Sequence, residues 1–192
     1  ALDIVELVDR ALAQFKHNFN KAETQQRVVD FIFDRLKGYC LDQGFGNDEF
    51  EAVLAVNPTQ PLDFIRRLQA VKNFRQLPEA ASLAAANKRI SNILKKSDQA
   101  VDGQIGSLVE DAEKALLSAA EASKQAIEPL LLQQDYGQAL SRLAELKDTV
   151  DAFFDKVMVN TDDPGLRNSR LSLLALLSDQ FLQIADISKL QS

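Results

Sequence analysis

Apolar residues recur at helical spacing along most of the chain. The first stripe lies within residues 2–19 and the second within about 24–43, where Thr24 is a candidate N-cap. Asn47 should cap a short helix that runs through Val56. No run of residues alternates between apolar and polar with a period of two, so the pattern predicts an all-α fold.

Prolines and capping residues divide the rest of the chain into longer helices. Pro61 suits the first turn of a helix that runs to about Gln76, and another helix should cover roughly 79–97. The remaining helices are predicted at about 107–126, where Ser107 and Glu110 form a capping box, at about 138–159, and at about 163–185, where Asp163 and Pro164 give a start signal. The chain should therefore form a bundle of about six to seven helices.

Composition excludes several classes of protein. The chain has 192 residues, 46% of them hydrophobic and 26% charged, which suits a folded, water-soluble protein in one domain or a little more. One cysteine excludes an internal disulfide framework, and one histidine with one cysteine cannot build a structural zinc site. No apolar run reaches about 18 residues, so no membrane span is expected. Because the chain starts at Ala1 without a signal peptide, we expect a fragment of a longer protein.

Charge is unevenly distributed along the sequence. The net charge is −6, but residues 61–97 contain eight basic and two acidic residues and carry +6. The remainder of the chain therefore carries −12. Such segregation is typical of a surface that binds a polyanion, although basic helices that neutralise acidic neighbours would give the same pattern.

One predicted helix concentrates these bases on a single side. At 100° per residue, its apolar positions from Leu83 to Leu94 fall within an arc of about 100°. The opposite side carries the basic strip, defined here as Lys88, Arg89, Asn92, Lys95 and Lys96. Lysine and arginine neutralise phosphates, and asparagine can bond base edges or sugars. The strip is thus a candidate RNA contact, with a solvated outer face as the alternative, and Arg66, Arg67 and Arg167 are weaker candidates.

An arginine interrupts the apolar arc of the last predicted helix. Arg170 falls in the middle of an arc that includes Leu173 and Leu177. An unpaired buried charge is very costly, so Arg170 should pair with a carboxylate or with helix-end carbonyls. The alternative is that Arg170 opens into a binding groove. Arg167 lies at the edge of the arc and is freer to meet a ligand.

No catalytic constellation is visible. The phosphate-binding, dinucleotide-binding and metal-binding motifs that are recognisable by spacing are absent from the sequence. His17 fits a surface or helix-end position better than a general base, and Cys40 lies on an apolar stripe as a buried thiol. Met158 is expected to fill the core. The chain alone is therefore predicted to be non-catalytic and to hold no metal or cofactor.

Several segments, in order and with matching spacing, resemble one family. The segments are Phe33–Leu36, Ala52–Ala55, Ala84–Leu94, Phe153–Val159, Leu166–Leu171 and Ala185–Leu190. They resemble the C-terminal region of the bacterial glycyl-tRNA synthetase beta subunit. Its terminal portion is similar to the helical anticodon-binding domain shared with arginyl-tRNA synthetases. Asn160 departs from the family pattern, which commonly has methionine there.

The resemblance implies a division of labour between two subunits. The alpha subunit would carry the catalytic site with its ATP and Mg²⁺, and the beta subunit would bind the tRNA for glycine, in a cytoplasmic assembly of two alpha and two beta chains. Residues 1–60 would lead in from the preceding part of the subunit, and residues 61–192 would form the anticodon-binding-like domain. Neither DNA nor a membrane is an expected partner. The alternative is a helical module that joins subunits without direct RNA contact.

Overall fold

The computed structural model describes residues 2–16, 19–97 and 103–190. These residues form nine α-helices and a final 3₁₀ helix, without a strand, which confirms the all-α class while exceeding the predicted six to seven helices. The α-helices are α1 (Ile4–Leu12), α2 (Lys21–Asp42), α3 (Asn47–Leu54), α4 (Pro61–Phe74), α5 (Ala80–Lys96), α6 (Asp111–Leu132), α7 (Tyr136–Ala144), α8 (Lys147–Lys156) and α9 (Pro164–Leu182). The 3₁₀ helix spans Ile187–Lys189.

The helix predicted at 138–159 is in fact two helices. α7 ends at Ala144, where the amide of Leu146 donates to the carbonyl oxygen of Leu143 in a tight turn. The turn buries Leu146, which is 4% exposed, and redirects the chain so that α7 contacts α4 while α8 contacts α5. No glycine or proline marks this turn. Burial of a leucine, rather than local turn chemistry, accounts for the break.

Four predicted helix limits also need correction. The N-cap of α2 is Asn20 rather than Thr24, because the Asn20 side chain accepts a hydrogen bond from the amide of Glu23 at 3.2 Å. α6 begins after Glu110 rather than at Ser107. It also continues through Pro129 to Leu132, beyond the predicted end at about residue 126. α1 ends at Leu12, well before the predicted residue 19.

The start of α9 agrees with its sequence signal. Asp163 is the N-cap, and its side chain accepts hydrogen bonds from the amides of Gly165 at 2.8 Å and Leu166 at 3.1 Å. Pro164 occupies the first turn, where a missing amide hydrogen costs nothing. Nine of the 19 residues of α9 are buried, so this helix is covered on most sides by its neighbours.

One hydrophobic core connects the described parts of the chain. Its buried side chains run from Ile4 in α1 to Leu190 after the 3₁₀ helix. Cys40 is fully buried, in agreement with its place on an apolar stripe. Within this core α5 contacts α8, α9 and the 3₁₀ helix. The inner face of α5 is thereby fixed, and its outer face is left toward solvent.

Candidate nucleic-acid interface

The sequence of α5 explains both its helicity and its orientation. Its first half is rich in alanine, the best helix former. Lys95 and Lys96 lie in its last turn, where their positive charges interact favourably with the negative end of the helix dipole. Leu83 and Ile90 are buried against the core. All five residues of the basic strip are solvent-exposed, which is the side that the helical spacing predicts.

A groove lies between α5, the start of α9 and the connection that precedes α9. Its volume is about 850 Å³. The residues that line this α5–α9 groove are Ala85, Lys88, Arg89, Asn92, Ile93, Lys96, Ser97, Asn160, Thr161, Asp162, Arg167 and Leu171. Four of the five strip residues and Arg167 thus line one concave surface, although they come from helices about 70 residues apart in the sequence.

The α5–α9 groove is predominantly positive. Its described lining contains four basic side chains and one acidic side chain, Asp162. Within the described ranges neither Lys88 nor Lys96 takes part in an ion pair. Their charges are therefore available to an anionic ligand, and a concave site with charges of one sign concentrates ligands of the opposite sign.

Internal contacts hold the two arginines of the groove. The guanidinium carbon of Arg89 lies 4.3 Å from the centroid of the Phe154 ring on α8, in a cation–π contact. Arg167 is half-buried, and its Nε donates to the carbonyl oxygen of Thr161 at 2.8 Å. Each contact restricts a long side chain before any ligand binds, which lowers the entropy cost of binding.

Two further candidates are exposed cations outside the groove. Lys95 lines a separate hollow of about 270 Å³ between α5, α9 and the 3₁₀ helix, together with Asp179 and Asp186. Arg66 on α4 is exposed and donates to the side-chain oxygen of Gln134. Neither cation joins the set that converges on the groove.

Arg67 has a structural role. Its Nε pairs with Asp63 at 2.6 Å, and its Nη1 donates to the carbonyl oxygens of Gln183 at 2.6 Å and Ile184 at 3.0 Å. Its guanidinium also lies 4.3 Å from the ring centroid of Tyr136. Burial and a hydrogen bond to Asp63 raise the pKa of Tyr136 to about 12. With its side chain 16% exposed, Arg67 joins α4, α7 and the end of α9 and has little capacity left for RNA.

Other bases of α4 and its C-cap are also committed within the fold. Lys72 donates to the carbonyl oxygen of Gly44 at 2.8 Å, and Arg75 pairs with Asp48 at 2.8 Å. In the α4 half of the basic segment, most bases are therefore neutralised by neighbours inside the protein, as the alternative interpretation expects. The half in α5 keeps exposed charge.

Arg170, three residues after Arg167 on α9, forms a buried ion pair. It is 6% exposed, and its Nε pairs with the carboxylate of Glu113, whose side chain is completely buried. Its Nη1 donates to the carbonyl oxygen of Met158 at 2.7 Å. Burial with a carboxylate and a carbonyl as partners agrees with the position of Arg170 in the apolar arc.

Sequence reasoning missed part of the site. Asn160, Thr161 and Asp162 line the groove, but they carry no spacing signal because they lie in an irregular connection. The expectation that Met158 fills the core is wrong. Its side chain is 76% exposed, because the residue follows the end of α8 and only its carbonyl points to the buried Arg170.

Other candidate chemistry adds no second site. His17 lies outside the described residues. In the ranges that the structure describes, no cluster of histidine, cysteine, aspartate and glutamate has a metal-binding arrangement. No described helix is both long enough and apolar enough to cross a membrane.

The part of the chain that contains the groove matches a known domain family. The sequence profile of the DALR anticodon binding domain matches residues 83–190, which include most of α5, all of α9 and every described lining residue of the groove. The glycine–tRNA ligase beta subunit of Vibrio campbellii is 48% identical over 192 residues, or 99% of this chain and 28% of that protein. The same subunit of Photobacterium profundum is 47% identical over 195 residues, with coverages of 100% and 28%. The chain therefore spans a little over a quarter of the length of these relatives.

Proposed function

The chain belongs to the DALR anticodon-binding domain family, and on that premise we propose that it binds the anticodon region of the tRNA for glycine. The observation that carries the proposal is the convergence of Lys88, Arg89, Asn92 and Lys96 with Arg167 around one groove. RNA brings dense negative charge, and four of these five side chains carry positive charge into one concave surface.

The groove residues divide into two roles. Lys88 and Lys96 contact phosphates, because each is an exposed point charge without an ion-pair partner in the described chain. Asn92 and Arg89 contact bases or riboses, since an amide and a planar guanidinium present directional donors. Arg167 closes the opposite wall. Lys95 and Arg66 add weaker phosphate contacts outside the groove, and Arg67 is left out of the proposed set.

The similarity to glycine–tRNA ligase beta subunits extends the proposal to a larger assembly. In this assembly the chain is a non-catalytic part of the beta subunit and supports ATP-dependent attachment of glycine to tRNA. An alpha subunit supplies the catalytic site and uses ATP and Mg²⁺, and two alpha and two beta chains work together in the cytoplasm. DNA and membranes are not partners. The division of the chain into residues 1–60 and residues 61–192 stays a prediction.

Salt dependence of tRNA affinity tests the groove. Each phosphate contact releases counterions. Replacing Lys88 by alanine in the full ligase should therefore weaken the binding of every tRNA and reduce the magnitude of the slope of log K against log salt by about 1. Asn92→Ala should leave the slope unchanged and reduce discrimination against non-cognate tRNA by roughly 1–3 kcal/mol, as for contacts to base edges in DNA. Lys124→Ala is the matched control, because Lys124 is also an exposed lysine on a helix but lies on α6, outside the groove. Affinity, slope and selectivity equal to the parent in both groove variants would overturn the proposal.

A helical module that joins subunits without touching RNA is the second candidate. Two exposed aromatic residues of α2 favour it, since Phe31 is 62% and Tyr39 is 60% exposed, and exposed aromatic side chains are enriched at protein interfaces. Such a module should show no measurable tRNA binding near physiological salt. An RNA-binding chain should bind with a steep negative salt slope.

A further inference from the structure

The buried Arg170–Glu113 pair joins the groove to a second connection of the chain. Arg170 lies on α9 three residues after Arg167, one α-helical turn further into the fold. It does not line the groove, whereas Arg167 does. Its Nη1 donates at 2.7 Å to the carbonyl oxygen of Met158, two residues before the first of the connecting residues that line the groove.

Glu113 carries the contact into the connection before α6. One carboxylate oxygen pairs with Arg170 Nε. The other accepts hydrogen bonds from the amides of Val109 at 2.7 Å and Glu110 at 2.9 Å. A further bond ties the same connection to α9, because the amide of Gly106 donates to Ser169 Oγ at 3.1 Å. The pair therefore restrains two irregular connections at once.

We infer that Arg170 and Glu113 are positioning residues for the α5–α9 groove, so that the pair shapes the RNA site without touching RNA. The inference rests on the proposed function of the groove. Asn160, Thr161 and Asp162 form one wall of the groove and lie in a connection without regular structure of its own. Two described hydrogen bonds join α9 to this connection: Arg170 donates to the carbonyl oxygen of Met158, two residues before the wall, and Arg167 donates to that of Thr161 within the wall. Loss of the first bond leaves the wall under-restrained, and Arg167 loses its fixed partner with it.

A charged pair suits this task better than apolar packing. A carbonyl in an irregular connection needs a donor when it lies beside the core, and a guanidinium supplies several donors in a fixed plane. Apolar side chains could fill the same volume without fixing the direction of the connection. Stability alone does not explain the pair, because replacing a buried ion pair by apolar residues of similar size is often neutral or stabilising.

The double variant Arg170→Met/Glu113→Leu separates positioning from folding. It removes both charges together, so neither is left buried without a partner. The variant is made in the full ligase, and Gln180→Met is the matched control. Gln180 is another buried polar residue of α9, 1% exposed, and it bonds to the carbonyl oxygen of Ala120 in α6 at 3.0 Å. It does not contribute to the described lining of the groove.

We expect the double variant to bind tRNA about tenfold more weakly, within the range that loss of an outer-shell partner costs at metal sites. The slope of log K against log salt should stay that of the parent, because no phosphate contact is removed. The Gln180→Met control should keep the parent affinity. Arg170→Lys serves as a conservative second variant that keeps the charge but loses the planar donor set, and it should also weaken binding. Parent affinity in both the double variant and Arg170→Lys would overturn the inference.

A second readout does not depend on RNA. Met158 is the only methionine of the parent chain, while the double variant and Gln180→Met each add one more. The methyl resonance of Met158 is therefore assigned separately in the parent and in each variant by adding Met158→Leu, and it reports on the connection that Arg170 holds. The resonance should shift and narrow in the double variant and stay in place in Gln180→Met. If the parent protein binds no tRNA, the proposed function fails while this readout still decides whether the pair positions the wall. An unchanged Met158 resonance would mean that the pair does not.

Discussion

Removal of one partner of the buried Arg170–Glu113 pair should destabilise the chain more than removal of both. Arg170 is 6% exposed and Glu113 is fully buried, so either one alone would be an uncompensated buried charge. Breaking such a pair by removal of one partner costs about 3–5 kcal/mol. Arg170→Met should therefore lower the free energy of unfolding of the 192-residue chain by about that amount.

Removal of Glu113 alone should cost at least as much. Glu113→Leu leaves the arginine unpaired and also removes the acceptor of two amide hydrogen bonds at the start of α6. Loss of a helix cap costs about 0.5–2 kcal/mol. The double variant loses the cap but leaves no buried charge. Its free energy of unfolding should therefore lie within about 2 kcal/mol of that of the parent. The two substitutions should thus be strongly non-additive.

Urea unfolding followed by circular dichroism measures these differences. We compare the parent with the two single variants and the double variant at one pH. The free energies are comparable only if the four proteins have similar m-values. A free energy of unfolding within about 1 kcal/mol of the parent in either single variant would contradict a buried pair. A cost of the double variant equal to the sum of the two single costs would also contradict it, because the charges would then not be paired with each other.

Three smaller predictions follow from other elements. Gly44→Ala should destabilise the chain by about 1–2 kcal/mol in urea unfolding, because Gly44 has φ +80° after α2, and an unchanged midpoint would contradict this. Cys40 is buried and burial raises its pKa, so Ellman's reagent should label it only as fast as the protein unfolds; rapid labelling of folded protein would refute its burial. Hydrogen bonds from Lys147 lower the pKa of Asp151, so the small stabilisation that Lys147→Met removes should be present above about pH 4 and fade as the pH falls below it. A difference that grows toward low pH would contradict the pair.

Periodicity predicted the fold class and the exposed side of α5 because both follow from local geometry. The spacing of Leu83 and Ile90 determines which side of the helix is buried, and the basic strip then has to face away. The N-cap signal of Asp163 and Pro164 was correct for the same reason, since capping depends on residues only two or three positions apart. The break between α7 and α8 was missed because it depends on burial of Leu146, which is decided by distant helices.

The candidate site shows the same limit of local reasoning. Charge counts treated Arg67 and Lys88 alike, whereas the fold commits Arg67 to Asp63 and backbone carbonyls and leaves Lys88 exposed. The apolar arc indicated that Arg170 needs a partner, but not that the partner would be Glu113, 57 residues earlier in the chain. The groove forms because α5 and the start of α9 meet in the tertiary structure, and the residue spacing within either helix does not predict this.

A site-specific crosslink tests most directly whether the α5–α9 groove contacts the anticodon region. A photoreactive amino acid replaces Asn92 on the groove wall of the full ligase, and the same amino acid replaces Glu128 on the exposed side of α6 as a control. After irradiation with the tRNA for glycine, the crosslinked nucleotides are mapped by sequencing. We expect crosslinks from position 92 to the anticodon stem and loop and none from position 128. No crosslink from position 92, or crosslinks confined to the acceptor end, would contradict it.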